Sequence, residues 1–175
     1  MIQDGLMSAD QTATLGALLM IATSIAGLAL VVETGPGLLA IGAIGLLLGW
    51  GYSAPPLALM SRGLGEWAVG ASWWLVTIGS AWVQHGRIDP LTGAAGASFA
   101  VLVVAILVVN QFPDREADAA VGKRNWVVRL GPRGARAIPA LLLLGAHGLV
   151  IVFVLAAVLP VSTLASLVSL PIALH

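Results

Sequence analysis

Residues 91–118 read LTGAAGASFAVLVVAILVVNQFPDREAD, and this stretch decides the fold class. Its first nineteen residues, Leu91 to Val109, carry no charged side chain, whereas four charged side chains fall between Asp114 and Asp118. A helix that spans a bilayer needs about 20 mostly apolar residues. The stretch therefore predicts a membrane-crossing helix that ends in a polar segment facing water.

The composition of the whole chain agrees with this interpretation. Of its 175 residues, 59% are hydrophobic and 9% are charged, whereas a soluble domain has about 25% charged residues. Repeated apolar runs predict an all-α, polytopic membrane bundle of five to six transmembrane helices, forming a single domain over 1–175. The expected helices cover about 13–32, 38–54, 65–84, 91–112, 137–158 and 160–174.

The basic residues are distributed unevenly among the loops. Seven of the eight fall in alternate loops, while Arg87 lies on the other side. These seven are Arg62, Arg115, Lys123, Arg124, Arg129, Arg133 and Arg136. Because Lys and Arg concentrate in cytoplasmic loops, the polar 110–136 loop is expected to be cytoplasmic. The expected location is the inner membrane of the cell.

Charge and composition also exclude several functions. The formal net charge is zero, so no basic field indicates nucleic acid as a partner. The chain has no Cys, which excludes disulfides, thiolate metal sites and Cys nucleophiles.

The chemically informative segment begins where the fourth helix meets the cytoplasmic face. Asp114 and Asp118 are four residues apart, so both carboxylates lie on one face of a helix and repel each other unless a cation separates them. Mg²⁺ typically takes one or two carboxylates and completes its shell with water and phosphates. Lys123 and Arg124 follow closely and fit the outer oxygens of the same phosphate. By spacing alone, a solvated loop of mixed charges remains an alternative.

The longer string resembles a known family. Residues 110–131, NQFPDREADAAVGKRNWVVRLG, resemble the second Asp-rich motif of UbiA-type intramembrane prenyltransferases. They are most similar to the branch that prenylates dihydroxynaphthoate in menaquinone synthesis. Residues 52–56 (YSAPP) and 62–66 (RGLGE) are similar to another loop of that branch, and residues 5–8 (GLMS) to the loop after the first Asp-rich motif.

This resemblance implies a helical bundle, usually of nine spans, with a cavity open toward the cytoplasm and the membrane. It implies Mg²⁺-dependent transfer of an isoprenyl group from an isoprenyl diphosphate to an aromatic acceptor such as 1,4-dihydroxy-2-naphthoate. The implied metal ligands are Asp114 and Asp118, the implied diphosphate-binding residues are Lys123 and Arg124, and Asn110, Tyr52 and Arg62 are further candidate binding residues.

The chain also departs from the family pattern. The first Asp-rich motif is absent, since only Asp4 and Asp10 precede the first helix. The chain is therefore expected to be truncated at both ends, and a catalytically incomplete remnant of the fold is one alternative. A transporter-like helix bundle is another. The acceptor, the length of the donor chain and the oligomeric state stay open.

Two further ionisable residues lie within apolar runs. Glu66 begins the third predicted helix, where the helix dipole stabilises a carboxylate. Helix capping is therefore the preferred interpretation of Glu66, ahead of a role in the cavity. His147 lies in the middle of the fifth predicted helix. It is expected to be a neutral, hydrogen-bonded packing residue rather than a functional one.

Overall fold

The computed structural model describes residues 6–173, so the sequence-based predictions for Asp4, Gly5 and Leu174 lie outside the described residues. Within residues 6–173 all regular structure is helical, as predicted. The α-helices are α1 (Ala9–Thr34), α2 (Gly37–Ser53), α3 (Gly65–His85), α4 (Pro90–Ala120), α5 (Trp126–Ala135), α6 (Ile138–Leu155) and α7 (Leu170–Ala173). Two 3₁₀ segments, Leu59–Ser61 and Val161–Ser169, connect them.

Three of these helices, α1, α4 and α6, are long and apolar enough to cross a membrane on their own. Helix α2 is apolar but only 17 residues long, which gives a length of about 26 Å at 1.5 Å per residue. Helix α3 has 21 residues and a more polar sequence. The structure is a helical membrane bundle, as predicted, and within residues 6–173 three of its seven α-helices are long and apolar enough to span on their own.

Helix α4 lies at the centre of the bundle, between α3 and α6. Val108 of α4 and Val127 of α5 are fully buried and form a core with Val104 and Ala135. At Gly96 a β-carbon would lie 2.9 Å from a threonine side chain of α3, so the close approach of α3 and α4 depends on the absence of a side chain there. In contrast, α1 has no buried residue.

The predicted end of the fourth helix at residue 112 is wrong. Helix α4 continues through Pro113 to Ala120, and part of the expected 110–136 loop forms α5. Pro113 removes one backbone N–H, but the acidic turns beyond it remain helical. The helix ends at Ala120, and Gly122 then has a positive φ of 77°, which lets the chain change direction.

The predicted helix over 160–174 is wrong for residues 161–169, although Leu170–Ala173 is helical, and α6 ends at Leu155 rather than 158. Residues Val161–Ser169 form 3₁₀ turns instead. Ser169 there lies 3.1 Å from His147 Nε2, and His147 Nδ1 lies 2.8 Å from the carbonyl oxygen of Leu143. His147 is buried with both ring nitrogens hydrogen-bonded, which confirms the expected packing role and ties this segment to α6.

The two ends of the bundle carry different residues. At one end, the α2–α3 connection and the carboxyl end of α4 border a common cavity. At the other end, Trp82 Nε1 donates to the carbonyl oxygen of Thr34 at 3.2 Å, and Trp74 Nε1 donates to that of Gly93 at 3.0 Å. Helices α1 to α4 therefore run alternately up and down, as membrane spans joined by short connections must.

Candidate functional site

A polar cavity of about 140 Å³ opens at the charged end of the bundle. Its walls come from the end of α2, the start of α3, the carboxyl-terminal half of α4 and the turn before α5. The lining residues are Tyr52, Met60, Gly65, Glu66, Leu107, Asn110, Gln111, Asp114, Asp118, Lys123 and Asn125. Five of the seven residues proposed from the sequence thus lie around one cavity, although Tyr52 is far along the chain from the other four, which fall within 110–123.

Asp114 and Asp118 both face this cavity from α4. Their spacing of four residues places them on one helix face, and the continuation of α4 to Ala120 maintains that geometry. Within residues 6–173, the Asp114 side chain forms no hydrogen bond or ion pair, and Asp114 is exposed. Asp114 is therefore the accessible carboxylate of the pair.

Asp118 is held on both oxygens by the turn that follows α4. Lys123 Nζ lies 2.6 Å from Asp118 Oδ1, and Asn125 Nδ2 donates to Asp118 Oδ2 at 2.8 Å. Asn125 also caps α5, since its Oδ1 accepts from the backbone N–H of Val128 at 2.8 Å. One buried asparagine thus joins the start of α5 to the second acidic residue of the cavity.

Arg124 and Arg62 are not among the residues that line the cavity, so their contribution to it stays a prediction. Arg124 is exposed, and its carbonyl oxygen packs toward Gly63. Arg62 is also exposed, and its Nη2 donates to the carbonyl oxygen of Pro56 at 2.7 Å. Arg124 directly follows Lys123 in the connection between α4 and α5. Of these three basic residues, Lys123 is the one that lines the cavity and pairs with Asp118.

Glu66 is the residue that sequence reasoning undervalued. It makes no capping hydrogen bond at the start of α3, contrary to the preferred expectation. Its Oε1 instead accepts from Gln111 Nε2 at 2.9 Å and from the backbone N–H of Trp126 at 2.8 Å. Glu66 is 1% exposed. The available signal was a carboxylate directly after Gly65 at the start of an apolar run, where a buried position requires a partner.

An apolar groove adjoins the polar cavity at Glu66. It has a volume of about 300 Å³ and lies between α3, α4 and α6. Small residues of α3 and α4 form its floor, and Trp67, Trp74 and Trp126 are among its walls. The rings of Trp67 and Trp126 meet edge to face at a centroid distance of 6.0 Å. The site thus combines a polar cavity with an apolar surface next to it.

The formal charge of the cavity favours a cation. Two carboxylates, Asp114 and Asp118, lie beside one ammonium group, Lys123, which gives a formal sum of minus one for these three side chains. No cluster of three or more His, Cys, Asp or Glu side chains with metal-binding geometry occurs within residues 6–173. The donor set fits Mg²⁺ in its common mode, with one or two protein carboxylates and the remaining positions taken by water and phosphate oxygens.

Comparisons with known proteins agree with the site chemistry. Residues 2–175 match the family described as the UbiA prenyltransferase family. The chain is 30% identical over 135 residues to 1,4-dihydroxy-2-naphthoate octaprenyltransferase of Mycobacterium leprae (strain TN), covering 77% of this chain and 46% of that protein. The protein of the same name from Mycobacterium tuberculosis (strain ATCC 25618 / H37Rv) is 32% identical over 134 residues, with 76% and 46% covered.

A plant relative has a different name. Chloroplastic chlorophyll synthase of Oryza sativa subsp. japonica is 34% identical over 103 residues, which cover 56% of this chain and 26% of that protein. No solved structure matches the chain. The chain spans about half the length of the two mycobacterial relatives. The resemblance inferred from residues 110–131 is confirmed at the level of the family.

Proposed function

We propose that this chain, which belongs to the UbiA prenyltransferase family, transfers an isoprenyl group from an isoprenyl diphosphate to an aromatic acceptor. The acceptor we propose is 1,4-dihydroxy-2-naphthoate, the compound in the names of the two mycobacterial relatives. The observation that carries this proposal is the meeting of Asp114, Asp118, Asn110 and Lys123 around one cavity at the end of an apolar bundle.

The cavity suits the head group of a lipid-borne diphosphate. Asp114 and Asp118 lie on α4 just beyond its apolar run. A diphosphate bound there would therefore have its hydrocarbon tail beside the apolar part of the bundle, within the membrane. Asp114 and Asp118 would hold Mg²⁺, with Asn110 as a neutral oxygen donor beside them. When bound, the ion supplies positive charge that stabilises the departing diphosphate.

Lys123 has a separate part in this scheme. Its ammonium group pairs with Asp118 at 2.6 Å, and it transfers to a phosphate oxygen when a diphosphate enters the cavity. Asn125 continues to hold Asp118 Oδ2, so the carboxylate keeps its orientation while Lys123 changes partner. Tyr52 lines the same cavity from α2 and presents a hydroxyl group at its wall.

The reaction itself is a substitution at carbon. The bond between C1 of the isoprenyl group and the diphosphate oxygen breaks, and its electron pair leaves with the diphosphate. The electron-rich ring of the acceptor donates an electron pair to the allylic cation, and a carbon–carbon bond forms. The ring carbon that formed this bond then loses its hydrogen as a proton, and the bonding electron pair returns to the ring. Charge stabilisation of the leaving diphosphate is the main contribution of the protein.

A catalytically incomplete bundle is the second candidate. It is favoured by one observation: within residues 6–173, no third carboxylate completes a metal cluster with Asp114 and Asp118. Such a bundle would bind Mg²⁺ and diphosphate through the cavity without turnover. A transporter-like role has no comparable support in the described residues.

For the cellular location, we propose a multi-pass protein of the inner cell membrane with the cavity facing the cytoplasm. The α4–α5 turn and α5 carry Lys123, Arg124, Arg129 and Arg133, whereas the α3–α4 connection at the opposite end carries Arg87. This asymmetry is the positive-inside pattern.

The test uses the full chain in membranes, with radiolabelled geranyl diphosphate, 1,4-dihydroxy-2-naphthoate and MgCl₂. Asp114→Asn and Asp118→Asn should each reduce prenyl transfer by at least about 100-fold, which corresponds to about 2.7 kcal/mol of transition-state stabilisation. Asp89→Asn is the matched control, because Asp89 caps α4 at the opposite end. Full activity in both cavity variants would refute the proposed role. Retained Mg²⁺–pyrophosphate binding without turnover in the unmodified chain would instead support the incomplete bundle.

A further inference from the structure

The buried carboxylate of Glu66 joins three helices through one oxygen. Glu66 lies in the first turn of α3, and its Oε1 accepts from Gln111 Nε2 of α4 and from the backbone N–H of Trp126 at the start of α5. Both bonds have ordinary N–H···O lengths, 2.9 and 2.8 Å, and both donors are neutral. Glu66 is 1% exposed and Gln111 is 7% exposed, so water does not compete for these bonds.

The positions of the two donors connect this oxygen to the acidic pair. Trp126 directly follows Asn125, whose side chain holds Asp118. Gln111 lies one helical turn before Asp114 on α4. The Glu66 oxygen thus sets the distance between the turn after α4 and the helix face that carries the two aspartates.

We propose that Glu66 is a positioning residue for the diphosphate site, and that it acts as a hydrogen-bond acceptor rather than as a negative charge. This inference rests on the proposed function for its consequence in binding. Glu66 keeps the Lys123–Asn125 turn against α4, so that Lys123 and Asn125 face Asp118. It does not itself contact the diphosphate.

The arrangement of unpaired atoms explains why the charge is dispensable. Within the described residues, no Lys, Arg or His pairs with Glu66. Glu66 Oε2 and Gln111 Oε1 are both buried without a hydrogen-bond partner among the described atoms. They belong to two groups already joined by one hydrogen bond. A glutamine at position 66 keeps the accepting oxygen and brings an N–H₂ group toward the unpaired oxygen of Gln111, which forms a reciprocal amide pair.

Removal of the acceptor has the opposite effect. Glu66→Leu leaves the Gln111 amide and the Trp126 N–H buried without a partner, and an unpaired buried donor costs the full desolvation penalty of the group. The start of α5 then moves to reach another acceptor, and Asn125 moves with it. Glu66→Leu is expected to weaken binding at the cavity, whereas Glu66→Gln is expected to leave it nearly unchanged.

The first measurement reads the hydrogen bond itself, independently of any enzymatic activity. The full chain is labelled with ¹⁵N-tryptophan, and its six Trp residues are followed by NMR in detergent, with the Trp126 amide assigned from Trp126→Phe. Glu66→Gln should keep the downfield Trp126 amide resonance, and Glu66→Leu should shift it upfield. Ser98→Ala is the matched control, since it removes another buried polar contact of α4 without altering the Trp126 signal.

The second measurement titrates pyrophosphate with MgCl₂ into the same variants by calorimetry. Glu66→Leu should lower the affinity at least about tenfold, as expected for one lost buried hydrogen bond transmitted to the site, and Glu66→Gln should stay within about twofold of the unmodified chain. If Glu66→Leu does not fold, Glu66→Asp takes its place, because the shorter side chain withdraws the same carboxylate from both donors.

The outcomes separate the two proposals. A loss of affinity in Glu66→Gln equal to that in Glu66→Leu would show that the charge of Glu66 acts directly, and would overturn the positioning role. An unshifted Trp126 resonance in Glu66→Leu or Glu66→Asp would overturn it as well. If the unmodified chain binds no pyrophosphate while the resonances behave as described, the proposed function fails and the hydrogen-bonded link between the three helices stands.

Discussion

Replacing Lys123 with methionine should destabilise the chain chiefly through the loss of its pair with Asp118. The two charged atoms lie 2.6 Å apart, and the side chains are 31% and 13% exposed. A hydrogen bond between charged groups contributes about 1.5–3 kcal/mol, and partial exposure of Lys123 reduces this through solvent screening. We therefore expect a coupling free energy of about 1–2 kcal/mol between the two side chains.

A double-mutant cycle measures this coupling directly. The free energy of unfolding is determined in detergent for the unmodified chain, Lys123→Met, Asp118→Asn and the double variant. A parallel cycle pairs Asp118→Asn with Arg124→Met, because Arg124 is the neighbouring basic residue and is exposed outside the cavity. The second cycle should give a coupling below about 0.5 kcal/mol, as for an exposed charge without a fixed partner.

The same substitution has a consequence for cation binding. In the absence of diphosphate, Lys123 competes with Mg²⁺ for Asp118, so Lys123→Met should raise the affinity for Mg²⁺ by about fivefold, which is about 1 kcal/mol. It should lower the affinity for pyrophosphate measured with Mg²⁺. A coupling of less than about 0.5 kcal/mol in the Lys123 cycle, or equal couplings for Lys123 and Arg124, would refute this interpretation of the pair.

Three further predictions concern the surroundings of the site and the orientation of the chain. Gly63→Ala should lower stability by about 1–3 kcal/mol in chemical unfolding, since Gly63 has a φ of +76° and a β-carbon there would lie 2.8 Å from the backbone carbonyl oxygen of Arg124. Unchanged stability would contradict this packing. The Asp89 carboxylate accepts hydrogen bonds from the backbone N–H and hydroxyl of a threonine, which lowers its pKa below the usual 3.8. Its stabilising effect is therefore present above pH 3.8 and is lost as the pH falls through its lowered pKa, so Asp89→Ala should lower the melting temperature at pH 7 but much less at pH 2. Because the chain has no Cys, single cysteines at Glu116 and Ile88 should react with an impermeant maleimide from the cytoplasmic and outer sides respectively, and the reverse labelling would contradict the proposed orientation.

The sequence alone was sufficient wherever the physical cause is local. Low charge and repeated apolar runs required a membrane bundle, and α2 lies within one residue of its predicted bounds. The spacing of Asp114 and Asp118 put both carboxylates on one face as soon as that segment was helical. The membership of the UbiA family also followed from contiguous residues. Local reasoning failed at Pro113 and at residues 161–169, where a single proline and apolar composition were weaker determinants than the neighbouring packing.

The assembly of the cavity was decided by tertiary structure. Glu66 bonds to residues 45 and 60 positions further along the chain, and no local pattern specifies which helix a buried carboxylate will meet. The choice between Lys123 and Arg124 depended on the path of the turn before α5, which Asn125 fixes by bonding Asp118 and capping that helix at once. Residue type and spacing therefore determined which groups were available for chemistry. The packing of α3, α4 and α5 determined which of them share a cavity, because those contacts join segments that are far apart in the chain.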